Sequence, residues 1–313
     1  MTTPRISVGM PVYNGETYLE GAIQSLLDQT YRDFELIISD NASTDATERI
    51  CRKFAAQDPR VRYYRNETNI GAAPNHNRVF ELSTGEFFKW AAHDDLYPKQ
   101  MLQRCIEVLE KAPESVGLVY SQAEIINESG VTVGIKSDPV EKRDPRPYLR
   151  LARLLFYIRE YNATYGLMRS KVVRQTRLEA SFPYSDKVYM AELAMLGELW
   201  EIREPLLFLR AHAGRSTFAN TDPDALREWY DPSEAKKTVV IPLKTRADLE
   251  IVRSALRLPL PWGEKVLCVG VALALPCWFG LRELTYPLRI KLGLAPSMWR
   301  SRKNRLRPLD RES

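Results

Sequence analysis

Cysteine and histidine are scarce in this sequence, and the cysteines are not spaced as metal ligands or as disulfide partners. The 313 residues contain four cysteines and three histidines. Cys51 and Cys105 lie far apart, Cys268 and Cys277 stand in an apolar run, and no C-x-x-C pair occurs. The sequence therefore predicts neither a zinc site nor a disulfide framework, and it favours a reducing, cytoplasmic setting.

A secretory signal is also missing, and so is an apolar run of membrane-spanning length. Residues 1–5 lead directly into an apolar strand pattern, without the charged and apolar regions of a signal peptide. The run Val266–Leu281 has sixteen residues and is interrupted by Pro276, whereas a spanning helix needs about 20 apolar residues. We therefore expect the body of the chain to stay inside the cell.

The net positive charge of the chain comes from its end. The net charge is +5, and from Pro259 onward ten Lys and Arg face four Asp and Glu, which is +6 and leaves −1 for residues 1–258. With the adjoining apolar run, this basic tail fits an anionic membrane surface, at the inner face of the plasma membrane, better than nucleic acid. The run itself has two interpretations, a buried core helix or a segment in the lipid interface, and its aromatic and basic flanks slightly favour the second.

Strand and helix periodicities alternate through residues 6–120. Ile6–Val12 has the pattern of a buried strand, and Tyr18–Gln29 follows with its apolar residues on one helix face. The repeated alternation predicts an α/β fold, a mostly parallel sheet flanked by helices, which binds ligands at the carboxyl ends of its strands. The further predicted strands are Phe34–Ser39, Val61–Arg65, Glu86–Trp90 and Val116–Tyr120.

The alternation ends near Ser121. Turn residues at 127–130 predict a hairpin between short strands at 123–127 and 131–135, and Thr164–Arg169 is predicted as a later strand. We expect one domain over residues 1–220, divided into 1–125 and 126–220, followed by a helical extension over 221–313 with the apolar run 266–281 and the basic tail.

Four polar clusters follow strands or begin helices. Taken singly, each is an ordinary cap or turn: Asp45 with Glu48 fits a capping box, and Asp94-Asp95 fits a solvated turn. Because they recur where a sheet of this kind binds ligands, a shared site is the better interpretation. The clusters are Pro11–Asn14, Asp40–Asp45, His93–Asp95 and Ser185-Asp186.

Carboxylates in this arrangement suit the transfer of a glycosyl group from a nucleoside diphosphate. The leaving diphosphate needs an electrophile, which Mg²⁺ or Mn²⁺ held by carboxylates supplies. The incoming hydroxyl needs a base, which a second carboxylate placed apart from the metal supplies.

With these residues in view, the chain resembles the family 2 glycosyltransferases, whose GT-A fold is a nucleotide-binding α/β sheet. Pro11–Asn14 with Glu16 matches the opening motif, Asp40–Asp45 matches D-D-G-S-T-D, and Asn69-Ile70-Gly71 with Asn77 matches N-x-G…N. The resemblance implies an inverting enzyme of cell-surface glycan or glycolipid synthesis. Its nucleotide-sugar would bind residues 1–125, and its glycan or lipid-linked acceptor would bind residues 126–220.

The resemblance also implies a donor pocket in which Asp40 accepts a hydrogen bond from the nucleobase. His76 stands where many relatives carry arginine, which distinguishes this chain from them. The implied donor-binding residues are Pro11, Val12, Tyr13, Asn14, Glu16, Asp40, Asn41, Ser43, Asn69, His76, Asn77, His93 and Asp95.

His93-Asp94-Asp95 resembles the metal-binding D-x-D region of the family, with Ala92 in place of the first aspartate. We assign the metal to Asp94 and leave Asp95 to the ribose or the loop, although the reverse assignment stays open. One or two carboxylates with substrate phosphates suffice for Mg²⁺. The resemblance adds His212 as a second metal ligand.

Ser185-Asp186 resembles the family's E-D motif with serine in place of glutamate, which implies that Asp186 is the catalytic base. A plain helix N-cap is the alternative interpretation of Asp186. Arg210-Ala211-His212, followed by Arg215, resembles the R-x-H…S segment of the family. Arg210 and Arg215 are thereby implied to bind the diphosphate.

Two other functions stay open at this point. A nucleotidyltransferase of similar fold would normally carry a basic, glycine-rich loop after its first strand, whereas Pro11–Thr17 has one glycine and no Lys or Arg. A non-catalytic, membrane-associated subunit that binds sugar nucleotides is suggested by Ala92 and Ser185, which replace acids of the family's motifs.

Overall fold

The computed structural model describes residues 3–158, 162–212, 214, 222–233 and 242–291. Arg215 and the end of the basic tail, residues 292–313, lie outside the described residues. The chain divides into two compact units, Met1–Ala272 and Leu273–Ser313. The first unit holds all the strands described below.

The first half of the chain alternates strands and helices, as the sequence predicts. Three of its strands, Ile6–Val12, Phe34–Asp40 and Phe87–Trp90, are buried along their whole length, and each intervening helix buries one apolar face. The elements are β1 Ile6–Val12, α1 Leu19–Leu27, β2 Phe34–Asp40, α2 Thr47–Gln57, β3 Val61–Arg65, α3 Ala72–Glu81, β4 Phe87–Trp90, α4 Met101–Lys111 and β5 Val116–Ile126.

The second half adds three strands and several helices. Its elements are β6 Thr132–Lys136, α5 Pro147–Tyr157, a 3₁₀ turn Asn162–Tyr165, β7 Leu167–Arg169, α6 Ser170–Val173, α7 Ser185–Leu196, β8 Glu198–Arg210, α8 Pro223–Tyr230, α9 Leu243–Arg257 and α10 Trp262–Lys291. The helix α10 crosses from the first unit into the second.

One sheet of eight strands organises the first unit. Its order is β3-β2-β1-β4-β7-β5-β6, and β8 pairs with β5. The β1–β2, β2–β3, β1–β4 and β5–β8 pairs are parallel, whereas β7 runs antiparallel to both β4 and β5. The predicted fold class, a mixed and mainly parallel sheet flanked by helices, is confirmed.

The elements differ from the prediction at two places. The two strands expected around 116–127 form the single strand β5, because β8 pairs with it along its length with register shifts. The strand expected from Thr164 begins only at Leu167, after a 3₁₀ turn. Gly166 lies so close to β5 that an added Cβ would stand 2.5 Å from the carbonyl oxygen of Val119.

The sequence indicates an interruption of the apolar run at Pro276, but the helix does not end there. The helix α10 continues through it from Trp262 to Lys291. A proline removes only one i→i−4 hydrogen bond, and the turns on either side still propagate the helix. In the part of the chain that the structure describes, no helix combines the length and the apolar character that crossing a membrane requires.

The helix α9 packs on α7 within the first unit. Ala247, Ile251 and Ala255 are buried, and between them the fully buried Glu192 of α7 accepts a hydrogen bond from the Ser254 hydroxyl at 2.6 Å. Glu192 also pairs with Arg257 at 2.8 Å. The predicted boundary at 220/221 stays a prediction.

Candidate functional site

Two loops at the carboxyl edge of the sheet are joined by reciprocal hydrogen bonds. Asp45 accepts from the backbone N–H of Glu16 at 3.0 Å, and Glu16 accepts from the N–H of Ala46 at 2.9 Å. One half of the predicted capping box forms: Asp45 accepts from the N–H of Thr47 at 3.0 Å at the start of α2, whereas Glu48 bonds Arg52. Asp45 therefore connects the β1–α1 and β2–α2 loops.

A second set of bonds joins the same loops beside the ends of β1 and β2. The Ser43 hydroxyl accepts from the N–H of Asn14 at 2.9 Å, and the side-chain oxygen of Asn14 accepts from the N–H of Thr44 at 2.9 Å. Asn14 and Ala42 have positive φ angles of 49° and 61°. These contacts hold two of the predicted donor-binding segments in one fixed pair of loops.

Pro11, Val12 and Tyr13 lie where β1 leaves the sheet. Pro11 and Val12 are buried and pair with Ser39 and Asp40 of β2. Tyr13 is 42% exposed. Of these three predicted donor contacts, Tyr13 has the ring surface that is open to a ligand.

Asp40 is fully buried at the end of β2 and its oxygens are occupied. One oxygen accepts from the N–H of Ser43 at 2.8 Å. The other accepts from the Tyr63 hydroxyl and from Arg65, both at 2.7 Å. Burial and the Asp40 charge raise the pKa of Tyr63, so the phenol keeps its proton and donates. Tyr63 and Arg65 were missed in the sequence, where they read as ordinary strand residues.

Asparagine side chains connect the end of β2 to the start of α3. The Asn41 amide donates to Asn69 at 2.7 Å, and the Asn66 amide donates back to Asn41 at 2.9 Å. The side-chain oxygen of Asn69 accepts from the N–H of Gly71. Gly71 is the residue before α3 and has a φ of 91°. The predicted residues Asn41 and Asn69 thus shape the loop, and Asn66 belongs to the same network.

His76 and Asn77 on α3 face inward. Burial lowers the pKa of His76 to about 4, which leaves the ring neutral near pH 7. The Trp90 indole N–H donates to the His76 carbonyl at 3.1 Å. The Asn77 amide is used on both sides by the backbone of Glu179, from which it accepts at 3.0 Å and to which it donates at 2.8 Å.

The two aspartates after β4 have different partners, which separates roles that the sequence left open. Asp94 Oδ2 lies 2.8 Å from His212 Nε2, with side-chain exposures of 14% and 12%. Asp95 is buried and accepts from the backbone N–H of Arg210 at 2.9 Å. The geometry therefore brings Asp94, rather than Asp95, to the predicted second ligand.

Arg210 is the last residue of β8, and His212 follows two residues later. Both side chains pack against Tyr18, the residue before α1. The Arg210 guanidinium donates to the carbonyls of Asp94 and Glu128 at 3.0 and 2.8 Å and lies 4.7 Å from the Tyr18 ring centroid. The His212 ring centroid lies 4.9 Å from that of Tyr18. In this structure Arg210 fixes the loops, and its contact with a diphosphate stays a prediction, as does that of Arg215.

His93 packs against Gly15 at the end of β1. An added Cβ on Gly15 would stand 2.6 Å from the His93 ring. Burial is the main cause that lowers the pKa of His93, so the ring favours its neutral form. His93 thus fills the space between the first loop and Asp94.

Asp94 and His212 are both residue types that bind divalent cations. In this structure they are joined directly, by a hydrogen bond of 2.8 Å between Asp94 Oδ2 and His212 Nε2, which a bound cation would replace. Within the described ranges, no group of three or more His, Cys, Asp or Glu residues could hold a metal, so the remaining ligands would come from substrate phosphates and water.

Asp186 is the second residue of α7 and does not cap it. The residue before the helix is Tyr184, with a φ of 72°, and no side chain caps this end. Burial raises the pKa of Asp186 to about 6. One turn on, the Tyr189 ring meets that of Trp90 edge-on at 5.2 Å, so α7 packs against the end of β4, from which the chain runs to Asp94.

A second carboxyl group accompanies Asp186. The Ser185 hydroxyl donates to Glu179 Oε2 at 2.6 Å. Burial and the Asp186 charge raise the pKa of Glu179 to about 8. Glu179 was missed in the sequence because nothing in its local pattern sets this loop acid apart from others.

Comparisons with known proteins show which sequences and folds this chain is similar to. The model of the family described as "Glycosyl transferase family 2" matches residues 7–175. An uncharacterized glycosyltransferase of Rickettsia typhi is 34% identical over 126 residues, which is 40% of this chain and 38% of that protein. One from Haemophilus influenzae is 26% identical over 224 residues and covers 68% of each chain. Matches to several rickettsial glycosyltransferases cover only 18–38% of those proteins.

Solved structures share the fold at low sequence identity. TarS 1–349 of S. aureus in complex with UDP-GlcNAc superposes with a TM-score of 0.63 at 17% identity, over 92% of this chain and 77% of that one. A mannosyltransferase of Pyrobaculum calidifontis, in complex with GDP-Man and Mn²⁺, has a TM-score of 0.50 at 16% identity, over 96% and 83% of the two chains. The likeness confirms the predicted GT-A type of sheet.

Proposed function

The chain belongs to glycosyl transferase family 2 and is a glycosyltransferase, and on that premise we propose that it inverts the anomeric centre of a nucleoside-diphosphate sugar. Its first half would hold the donor, and an acceptor hydroxyl would attack the anomeric carbon from the opposite side. A single displacement of this kind gives inversion. We further propose a glycan or lipid-linked acceptor, in the synthesis of a cell-surface glycan or glycolipid.

The observation that carries this proposal is the environment of Asp186. Its pKa of about 6 leaves it mainly ionised near neutral pH, yet close enough to neutrality to accept a proton from a hydroxyl. Its helix packs on the end of β4 through the Trp90–Tyr189 contact. This contact supports a base near the carboxyl end of β4, where the donor would bind.

Asp94 and His212 are the residues proposed to hold a divalent metal. The mannosyltransferase neighbour was solved with Mn²⁺ and GDP-Man, and TarS was solved with UDP and UDP-GlcNAc. A bound Mg²⁺ or Mn²⁺ would offset the charge of the leaving diphosphate. Arg210 and Tyr18 would keep His212 and the backbone of Asp94 in place, since both contact this segment.

The donor loops support a nucleotide pocket at the ends of β1 and β2. The reciprocal bonds of Glu16 and Asp45 and the Asn41–Asn69 pair hold these loops in one conformation before a ligand arrives. Such preorganisation lowers the entropy lost on binding. Tyr13 would stack on the nucleobase, because its ring is the exposed aromatic surface here.

Asp186→Asn tests the base, and Asp94→Asn is its matched comparison. Thermal shifts are measured with UDP-, GDP- and dTDP-sugars, each with and without Mn²⁺, and product formation is followed with the donor that binds. A donor at about 100 times its Kd stabilises the fold by about 2.7 kcal/mol. We expect Asp186→Asn to keep this Mn²⁺-dependent shift while transfer is lost, and Asp94→Asn to lose the Mn²⁺ dependence of the shift.

Transfer at the wild-type rate by Asp186→Asn would remove Asp186 from the role of base. A donor shift that is equal with Mn²⁺ and with chelator would remove the metal. Donor binding without turnover on any glycan or lipid-linked acceptor would favour a subunit that binds sugar nucleotides without catalysis.

We also propose that the end of the chain contacts the inner face of the plasma membrane from the cytoplasmic side. At the start of α10, Trp262 is 72% exposed and Val266 and Leu267 are also exposed. From Pro259 onward the sequence carries a net charge of +6. Exposed apolar side chains beside basic residues are typical of segments that bind anionic lipid.

A further inference from the structure

The loop before α7 is held to the donor half of the sheet by one side chain. Asn77 of α3 accepts from the N–H of Glu179 at 3.0 Å and donates to its carbonyl at 2.8 Å. The two residues are 102 positions apart in the chain. The position of Glu179 is therefore set by α3 and does not depend on the loop alone.

Two residues in strained conformations flank this loop segment. Leu178 and Tyr184 have φ angles of 59° and 72°, a region that costs a residue with a side chain about 1–2 kcal/mol. Such strain persists only where surrounding contacts over-determine it, and it is frequent at functional sites. One of the two precedes Glu179 and the other precedes Ser185.

The Glu179 carboxyl reaches the first residue of α7. Ser185 is 1% exposed, and its hydroxyl donates to Glu179 Oε2 at 2.6 Å. Asp186 is the next residue. Position 185 carries a serine where the family's motif carries an acid, and the carboxyl of Glu179 reaches this position through space.

We infer that Glu179 is a positioning residue for Asp186, a carboxylic acid that holds Ser185 and thereby fixes the start of the helix that carries the base. This inference rests on the proposed function of Asp186.

The charges around the pair support a protonated Glu179 near neutral pH. Burial and the Asp186 charge both raise the pKa of Glu179, to about 8. On α7, burial and the charges of Glu179 and Glu192 raise the pKa of Tyr189, so its phenol stays neutral. Lys187, also on α7, is paired with Asp248 of α9. A neutral Glu179 leaves Asp186 as the ionised member of the pair. The two carboxyls then titrate as a coupled set.

The first measurement needs no substrate. The folded state keeps the Glu179 proton between the ordinary pKa of 4.5 and about 8, so wild-type stability falls as pH rises through this window. Glu179→Gln cannot titrate. We therefore expect its melting temperature, relative to wild type, to rise between about pH 5 and about pH 8.5. In an Asp186→Asn background the same rise should end at lower pH and be smaller, because the neighbouring charge that helps to raise the pKa of Glu179 in the folded state is gone.

The second measurement separates positioning from mere packing. We expect wild-type kcat/KM to fall below about pH 6 as Asp186 gains a proton and above about pH 8 as Glu179 loses one. Glu179→Gln should lose the upper fall. Glu179→Ala and Ser185→Ala should lower kcat by about tenfold or more with donor KM little changed, and Glu179→Gln should restore most of this loss.

Glu204→Gln, at an exposed pair with Arg104, serves as the control and should match wild type in both measurements. The inference is overturned if Glu179→Gln keeps the upper fall, or if its melting temperature relative to wild type does not change with pH. Because the melting series needs neither donor nor acceptor, it still reports on the pair if transfer is never observed. If the melting temperatures change with pH as expected but no transfer is observed, the result counts against the proposed function and still supports the interaction of Glu179 with Asp186.

Discussion

Left-handed backbone at residues other than glycine coincides with the candidate site. Among the described residues, Asn14, Ala42, Leu178 and Tyr184 have positive φ angles. The first two lie in the donor loops, and the other two flank the segment with Glu179. Strain of this kind is maintained by the contacts around it, and here those contacts are the hydrogen bonds that join one loop to another.

Ala42 provides a prediction at this scale. It occupies the glycine position of the D-D-G-S-T-D motif and has a φ of 61°. Ala42→Gly should relieve about 1–2 kcal/mol of left-handed strain and lose about 0.5–1 kcal/mol through the entropy of the unfolded chain. We expect a net gain in the free energy of unfolding of about 1 kcal/mol or less, measured by thermal or urea unfolding.

The matched control is Ala46→Gly, four residues on, where φ is −76°. No strain is relieved at that position, so the variant should lose about 0.5–1 kcal/mol. If Ala42→Gly were no more stable than Ala46→Gly, backbone strain at position 42 would not be the reason for the motif's glycine.

At the scale of elements, the contact of α7 with α9 depends on one buried acid. Glu192 is fully buried. It forms ion pairs with Arg177 and Arg257 and accepts a hydrogen bond from the Ser254 hydroxyl. Two of these partners belong to α9, which the sequence analysis assigned to the extension after residue 220. The same helix α7 carries Asp186 at its start, so this contact also bears on the position of the candidate base.

Glu192→Gln should therefore destabilise the protein strongly. The amide keeps the volume of the acid but removes the buried negative charge that Arg177 and Arg257 share; Arg177 keeps Glu250, so we expect a loss of about 1–3 kcal/mol. Urea unfolding measures this loss, and hydrogen exchange should show faster exchange of the α9 amides. Glu204→Gln removes half of an exposed ion pair and should cost less than about 1 kcal/mol. Equal losses in the two variants would show that Glu192 does not hold α9.

At the scale of the whole molecule, charge is divided between a neutral body and a basic end. Residues 1–258 carry −1 and the residues from Pro259 onward carry +6. The exposed apolar residues at the start of α10 lie in the first compact unit, which also holds the candidate site. Contact with a membrane through this segment would bring a lipid-linked acceptor near the enzyme.

Vesicle sedimentation tests this contact. We expect the protein to bind vesicles with anionic lipid and to bind neutral vesicles less, and added salt should weaken the binding because it screens surface charge. Replacing Trp262 and Leu267 together with glutamine should reduce binding. Replacing Val133 and Ile135 on β6, which are equally exposed apolar residues, should not. Equal loss in both double variants would contradict a specific role of α10.

The sequence by itself determined the α/β class, the order of the first elements and the family. Strand and helix periods are local, and the polar residues after β1, β2 and β4 follow directly from where each strand ends. Three motifs together, Pro11–Asn14 with Glu16, Asp40–Asp45, and Asn69–Gly71 with Asn77, named the family, which the family model confirms over residues 7–175. Asp45 does accept from the N–H of Thr47, but Glu48 bonds Arg52 rather than completing the capping box, and the helix α10 continues through Pro276, because neighbouring contacts and helix propagation outweigh local preference.

Only the tertiary structure decided which polar groups meet. His212 is hydrogen-bonded to Asp94, which is 118 positions away in the sequence, and Glu179 is hydrogen-bonded to Asn77, which is 102 positions away. These contacts depend on the order of the strands, with β7 antiparallel between β4 and β5 and with β8 on the other edge of β5. No local pattern encodes that order, since a strand's own residues specify its pleat and burial but not its neighbour. The distinction between Asp94 and Asp95, and the contact of Asn77 with Glu179, therefore arise only when the sheet is assembled.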